Sequence, residues 1–173
     1  METVLNMQPR VSATAGDGAP SADTLVSQMA AAIRAKLPKP LRRQDAGRRT
    51  FSDAAGALGT VLGQEMDRFN RLLATMDRTL QQLGAAIQGL VVMSSDLEVM
   101  YTGLLNNQVP QAWHAVAYLS LKPLASWVTD FHRKFKFMRM WLTNGSPRSF
   151  WLPGFYFPQV GPKRPKRPKR PEP

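Results

Sequence analysis

Between residues 62 and 90, apolar side chains recur at alternating steps of four and three: Leu62, Met66, Phe69, Leu73, Met76, Leu80, Leu83, Ile87 and Leu90. A strand repeats every two residues, so this series predicts one continuous stripe along a helix. Gln64, Glu65, Asp67, Arg68, Asn70, Arg71, Thr75, Asp77, Arg78, Gln81 and Gln82 fall on the other, wetted face. Asp67 and Arg71, four apart with the acid first, have the spacing of a helix-stabilising ion pair. A helix starting after Ser52-Asp53 and closing near Gly89 would be about 50 Å long. That is far longer than the usual globular helix.

Shorter helices flank it. Ser21 or Asp23 caps a helix with Leu25, Val26, Met29, Ile33 and Leu37 on one side, ended by Pro38 and Pro40. After Val92, the run Ser95-Asp-Leu-Glu98 reads as a capping box opening a helix with Leu97, Met100 or Tyr101, and Leu104. Residues 109–122 predict an irregular stretch around a short helical turn anchored by Trp113. From Pro123, suited to a first helical turn, the series Leu124, Trp127 or Val128, Phe131, Phe135, Met138 and Leu142 predicts a further helix, stopped at Asn144-Gly145. Residues 150–157 then hold five aromatics in eight positions, a run that requires burial against something. No partner for it is evident in the charged, proline-rich residues that follow.

Several segments resemble the C-terminal part of dynein heavy chains. They are Thr60-Val-Leu-Gly-Gln-Glu-Met-Asp-Arg-Phe-Asn-Arg-Leu-Leu73, Gly89-Leu-Val-Val-Met-Ser94, Val109-Pro-Gln-Ala-Trp113, Leu119-Ser-Leu-Lys-Pro-Leu124 and Phe150-Trp-Leu-Pro-Gly-Phe-Tyr-Phe-Pro-Gln159. Upstream, Leu5-Asn-Met-Gln-Pro-Arg10 and the stretch from Leu25 to Leu37-Pro38 look like the end of the sixth AAA+ module of that family. The motifs occur in order, cover about residues 1–159, and look more axonemal than cytoplasmic. The resemblance implies three parts: 1–50 as the end of the sixth AAA+ module and a basic linker, 51–159 as an incomplete helical C-terminal region, and 160–173 as a tail. Two departures stand out. Lys39-Pro-Leu-Arg-Arg-Gln-Asp-Ala-Gly-Arg-Arg49 replaces an acidic, tyrosine-containing link, and Lys-Arg-Pro repeats replace the family's continuation after Gln159.

Charge follows those departures. The formal net charge is +11. Residues 34–49 hold seven Lys/Arg against Asp45, and residues 163–173 hold six against Glu172. The remainder balances ten basic against ten acidic residues. Anion binding is therefore expected in the two basic runs and not on the helices. The tail cations Lys163, Arg164, Lys166, Arg167, Lys169 and Arg170 are the candidate polyanion contacts. Proline at every third position there suits a polyproline II helix, and such a tail could meet RNA, acidic tubulin tails or an import receptor. The competing reading is a low-complexity terminus without selected function.

Little else points to chemistry. No Gly-x-x-x-x-Gly-Lys-Ser/Thr phosphate loop occurs. Gly16-Asp-Gly18 lacks a third glycine, and Gly56, Gly59 and Gly63 belong to the long helix, where they permit close approach. His114 and His132 have no spaced carboxylates or further ligands for a catalytic dyad or zinc site, and His132 is expected on a solvated face. There is no cysteine, hence no disulfide. No secretory signal opens the sequence and no apolar stretch approaches a membrane span, so the expectation is an intracellular protein away from membrane.

The sequence thus predicts a mainly α fold: one long amphipathic helix, shorter helices, and a disordered linker and tail. By resemblance it is a structural piece of a minus-end-directed microtubule motor of cilia and flagella, without a catalytic site. Cofactors are expected to be none, ATP and Mg belonging to other modules of the parent. The implied partners are those other modules of the motor ring, with dynein intermediate and light chains and microtubules reached through the parent complex. The implied location is cytoplasm, cytoskeleton and axoneme. The rival is an independent basic adaptor that offers the stripe to a partner helix and the tail to an anionic polymer. Alone, the long helix is expected to be poorly protected, since helices parted from their packing partners are marginal.

Overall fold

A computed structural model describes residues 20–48, 50–51 and 56–156. The helix periodicities of the sequence reappear as α1 (Ala22–Ala35), α2 (Gly56–Ile87), α3 (Ser95–Leu105), α4 (Gln111–His114) and α5 (Leu124–Asn144), and no strand occurs among the described residues. At 32 residues α2 is about 48 Å long. The other helices pack around it: α1, α3, α4 and α5 each contact α2, and α3 also contacts α1 and α4.

Seven stripe positions, Leu62, Met66, Phe69, Leu73, Met76, Leu80 and Leu83, are each 4% exposed or less. The stripe is therefore covered by the other elements of the same protein. Ile87 is half-buried. Leu90 departs from the prediction and is 74% exposed. The cause is local: Gly89 takes φ +73°, its N–H donates to Ala86 O at 3.0 Å, and Leu90 N–H donates to Ala85 O at 2.9 Å. That pair of bonds is a Schellman stop, which ends the helix before Leu90 and turns it out of the stripe.

Width is the second departure. Leu72, Gly59, Gly63, Ala86 and Glu65 are also buried on α2, so the core face is broader than a heptad seam. Several helices cover it rather than one. Glu65 thereby moves from the expected wetted face to the interior, where it pairs with Arg68 at 2.8 Å. The expected Asp67–Arg71 bridge is not among the ion pairs of the described residues.

Caps differ in detail. Ser21 caps α1, its Oγ accepting from Thr24 N–H at 3.2 Å. The expected capping box of α3 is displaced by one residue: Ser94 is the N-cap, and its hydroxyl makes no capping bond. Pro123 stands at the N-cap of α5 rather than inside its first turn. There, Asn107, itself in the left-handed region at φ 56°, accepts from Leu124 N–H at 2.9 Å and, through Oδ1, from Ala125 N–H at 3.3 Å. The residue that stops α3 therefore caps α5. Gly145 ends α5 at φ 85°, as expected.

The basic linker is not disordered across residues 39–48. Leu41 is 3% exposed, and its backbone exchanges two 2.8 Å hydrogen bonds with the Asn70 side chain on α2. A 3₁₀ turn follows at Arg43–Asp45. Gly47 N–H donates to Leu142 O at 2.9 Å, and Thr50 Oγ1 donates to the same carbonyl at 2.9 Å. A Cβ on Gly47 would lie 2.5 Å from Thr143 O, so only glycine fits. Local propensity misses this ordering because the bonds that supply it reach across to α2 and α5.

Candidate functional site

The aromatic run finds its partner surface on α5. Residues 150–156 fold back as a strap with a 3₁₀ turn at Leu152–Gly154. Phe137 and Trp141 of α5 face it: Phe137 meets Trp151 edge-on at 5.9 Å and Phe155 at 6.1 Å, while Trp141 meets Phe150 at 5.2 Å and Phe155 at 6.0 Å. Such tilted and edge-to-face pairs match ring quadrupoles. Gly154 allows the closest approach, since a Cβ there would stand 2.7 Å from Trp151 and 2.9 Å from Phe137.

The strap continues into the core through Tyr156, whose ring packs edge-on to Phe69 at 5.2 Å and to Tyr118 at 5.8 Å. Two polar anchors fix it. Tyr156 N–H donates to Glu65 Oε2 at 2.7 Å, a buried bond, and the Tyr156 hydroxyl donates to Val116 O. A third anchor is Lys134, 7% exposed. Its ammonium donates to Pro153 O, lies 3.8 Å from Asp130, and sits over the Tyr118 ring at 4.4 Å and the Trp151 ring at 5.7 Å. Burial pulls the Lys134 pKa below the usual lysine value, opposed by the charge of Asp130. Burial raises the pKa of Tyr118 and Tyr156, helped by Asp130 for the first and Glu65 for the second.

Residues 109–122 complete the enclosure. Trp113 is fully buried, stacks on Trp127 at 5.7 Å, and donates from Nε1 to Thr79 Oγ1 of α2 at 2.9 Å. Among the described residues Trp127 Nε1 is buried without a hydrogen-bond partner. His132, expected on a solvated face, is half-buried, with Nδ1 2.8 Å from Val128 O and Nε2 2.8 Å from Lys36 O. The Lys36 carbonyl at the end of α1 covers one edge of the ring.

A family model described as the C-terminal domain of the dynein heavy chain matches residues 1–160. The protein belongs to that dynein family. Among its relatives, human dynein axonemal heavy chain 6 is 45% identical over 163 residues, covering 92% of this sequence and 4% of that protein. Rat dynein axonemal heavy chain 1 is 42% identical over 157 residues, covering 91% and 3%. Rat dynein axonemal heavy chain 12 is 40% identical over 159 residues, covering 92% and 5%. The 173 residues thus span only a few per cent of the length of these relatives.

Within this dynein family member the predicted contact residues separate. The stripe is brought together as core and is not open to a partner, which removes the helix half of the adaptor reading. The tail candidates Lys163, Arg164, Lys166, Arg167, Lys169 and Arg170 lie outside the described residues. Among the described residues no three His, Asp or Glu side chains converge as a metal site, and no helix is long and apolar enough to cross a membrane. Two open surface depressions have volumes of about 500 and 410 Å³. One lies between α3 and the segment leading to α4, the other beside the end of α5. Sequence reasoning missed Glu65 and Lys134. The one available signal was their chemistry: a charged residue between core positions at 62–69, and another at 131–138, each needing a partner if buried.

Proposed function

We propose that this protein is a structural piece of an axonemal-type dynein heavy chain, serving microtubule-based movement in cilia or flagella and contributing no catalytic site. The observation that carries this reading is the family match through residues 1–160, joined by relatives whose names are all axonemal. Residues 1–50 are read as the end of the sixth AAA+ module with its linker, and 51–159 as the helical C-terminal region. In the parent the unit packs against other modules of the motor ring. It reaches intermediate chains, light chains and microtubules through that complex, with ATP and Mg held elsewhere. The covered stripe supports a rigid unit that transmits force through its outer faces rather than a helix awaiting a partner.

Two measurements test the reading. Calorimetry of the purified protein with MgATP should show no saturable binding in the micromolar range; such binding would place a nucleotide site in these residues and overturn it. Sequencing the transcript on both sides of the reading frame should show dynein coding sequence upstream of residue 1. A start codon at Met1 preceded by stops in all frames would instead make these residues a separate product.

A further inference from the structure

The linker bonds to α5 create a basic surface that neither segment has alone. Lys36 O meets His132, and Lys39 O accepts from the Arg139 guanidinium. Those two anchors are seven residues apart on α5, about 10 Å. Lys136 lies between them, and Arg133 follows His132. Lys36, Lys39, Arg133 and Lys136 are all exposed, and none of them joins an ion pair among the described residues. Arg139 is held in place by stacking over Phe135 at 5.4 Å. The acid on this part of α5, Asp130, is already engaged by Lys122 at 2.8 Å. Asp45, in the 3₁₀ turn that packs on α5, is the carboxylate of the linker.

We propose that Lys36, Lys39, Arg133, Lys136 and Arg139 form a docking surface for an acidic segment of a partner protein. Charge complementarity selects the partner's sign. The class of partner follows from what interrupts the charge. Met140, one turn beyond Lys136 on the same exposed arc, is 52% exposed, and Thr129 and Thr143 lie on that arc too. The ring against Arg139, Phe135, is buried beneath it. A flexible thioether suits an apolar peptide side chain, whereas single-stranded nucleic acid needs exposed aromatic planes to stack on. The partner segment therefore carries several carboxylates around one apolar residue.

The test uses the full 173-residue protein and a fluorescein-labelled peptide of glutamates flanking a central leucine, followed by anisotropy at low and high salt. The paired reversals Lys36→Glu/Lys39→Glu and Arg133→Glu/Lys136→Glu should each weaken binding about tenfold, the effect of losing two surface ion pairs of ordinary strength. Arg71→Glu/Arg78→Glu alters net charge equally at exposed positions of α2 outside the five patch residues, and should change binding less than about twofold. Replacing the probe's leucine by serine should weaken binding to the unaltered protein but not to Met140→Ser. Far-UV circular dichroism verifies that each variant keeps its helix. Equal losses for all three reversals would reduce the effect to bulk charge and overturn the proposal. So would loss only on removing the tail cations, or tighter binding of an oligothymidine than of the peptide.

Discussion

Thr79→Val isolates one buried hydrogen bond with almost no change of shape. Trp113 is 0% exposed, and its indole N–H has Thr79 Oγ1 as acceptor at 2.9 Å. Valine has the volume and branching of threonine but cannot accept. The variant therefore leaves a fully desolvated N–H unpaired, a cost of about 1–3 kcal/mol. Thr79 Oγ1 also donates back to Thr75 O at 2.8 Å, and the loss of that back-bond contributes little, since such bonds compete with the helix ladder. At a urea slope of about 1.5 kcal/mol/M, the midpoint should fall by roughly 0.7–2 M. Because Trp113 stacks on Trp127 and Trp127 on Tyr118, the unfolding should remain one transition when followed by tryptophan fluorescence and by circular dichroism. The cycle with Trp113→Phe separates the bond from the packing: Thr79→Val should cost much less in the Trp113→Phe background, where no N–H remains to orphan. An unchanged midpoint for the single variant, or an equal cost in both backgrounds, would refute the enclosure of the indole by α2.

Further perturbations follow from the strap and its neighbours. Gly154→Ala should cost about 1–3 kcal/mol by overpacking against Trp151 and Phe137, and should speed proteolytic cleavage near the strap while leaving α2 protected in hydrogen exchange. Alkaline conditions should destabilise the fold: the Asp23 hydrogen bond pushes Tyr101 up to about 12, and Tyr118 and Tyr156 are raised further. The unfolded state ionises first, at about pH 10, so stability is intact below that value and lost as pH rises through roughly 10 to 12. Lys134 acts in the opposite direction, since its lowered pKa lets the folded state shed its proton first. Tyr101→Phe should remove part of the alkaline loss seen by thermal melting at about pH 9 and pH 11.

Much of this architecture is written in local sequence. The four-three alternation from Leu62 to Leu83 sets a helix and its buried side because side chains separated by one or two turns must share a face, whatever packs against them. Gly89, Asn107 and Gly145 mark helix ends for an equally local reason: each supplies or tolerates a positive φ. Family membership is legible for the same cause, since it resides in ordered runs of residues. Contacts between distant segments could not be read that way. Whether the stripe faces its own fold or another protein depends on whether α1, α3, α4 and α5 together cover it. Periodicity does not record what sits opposite. The linker looked unstructured because its order comes from the Asn70 side chain and the Leu142 carbonyl, 29 and 92 residues away. Glu65 looked solvated and Lys134 gave no sign of burial because charge predicts exposure, until Tyr156 N–H and Pro153 O arrive from the strap to meet them. The basic flank is likewise a property of contact: Lys36 and Lys39 become neighbours of Arg133 and Lys136 only when the linker lies along α5. Local sequence settles what each segment is able to bury. Tertiary structure decides what it is buried against, because the partners of polar and aromatic groups here are far apart in sequence.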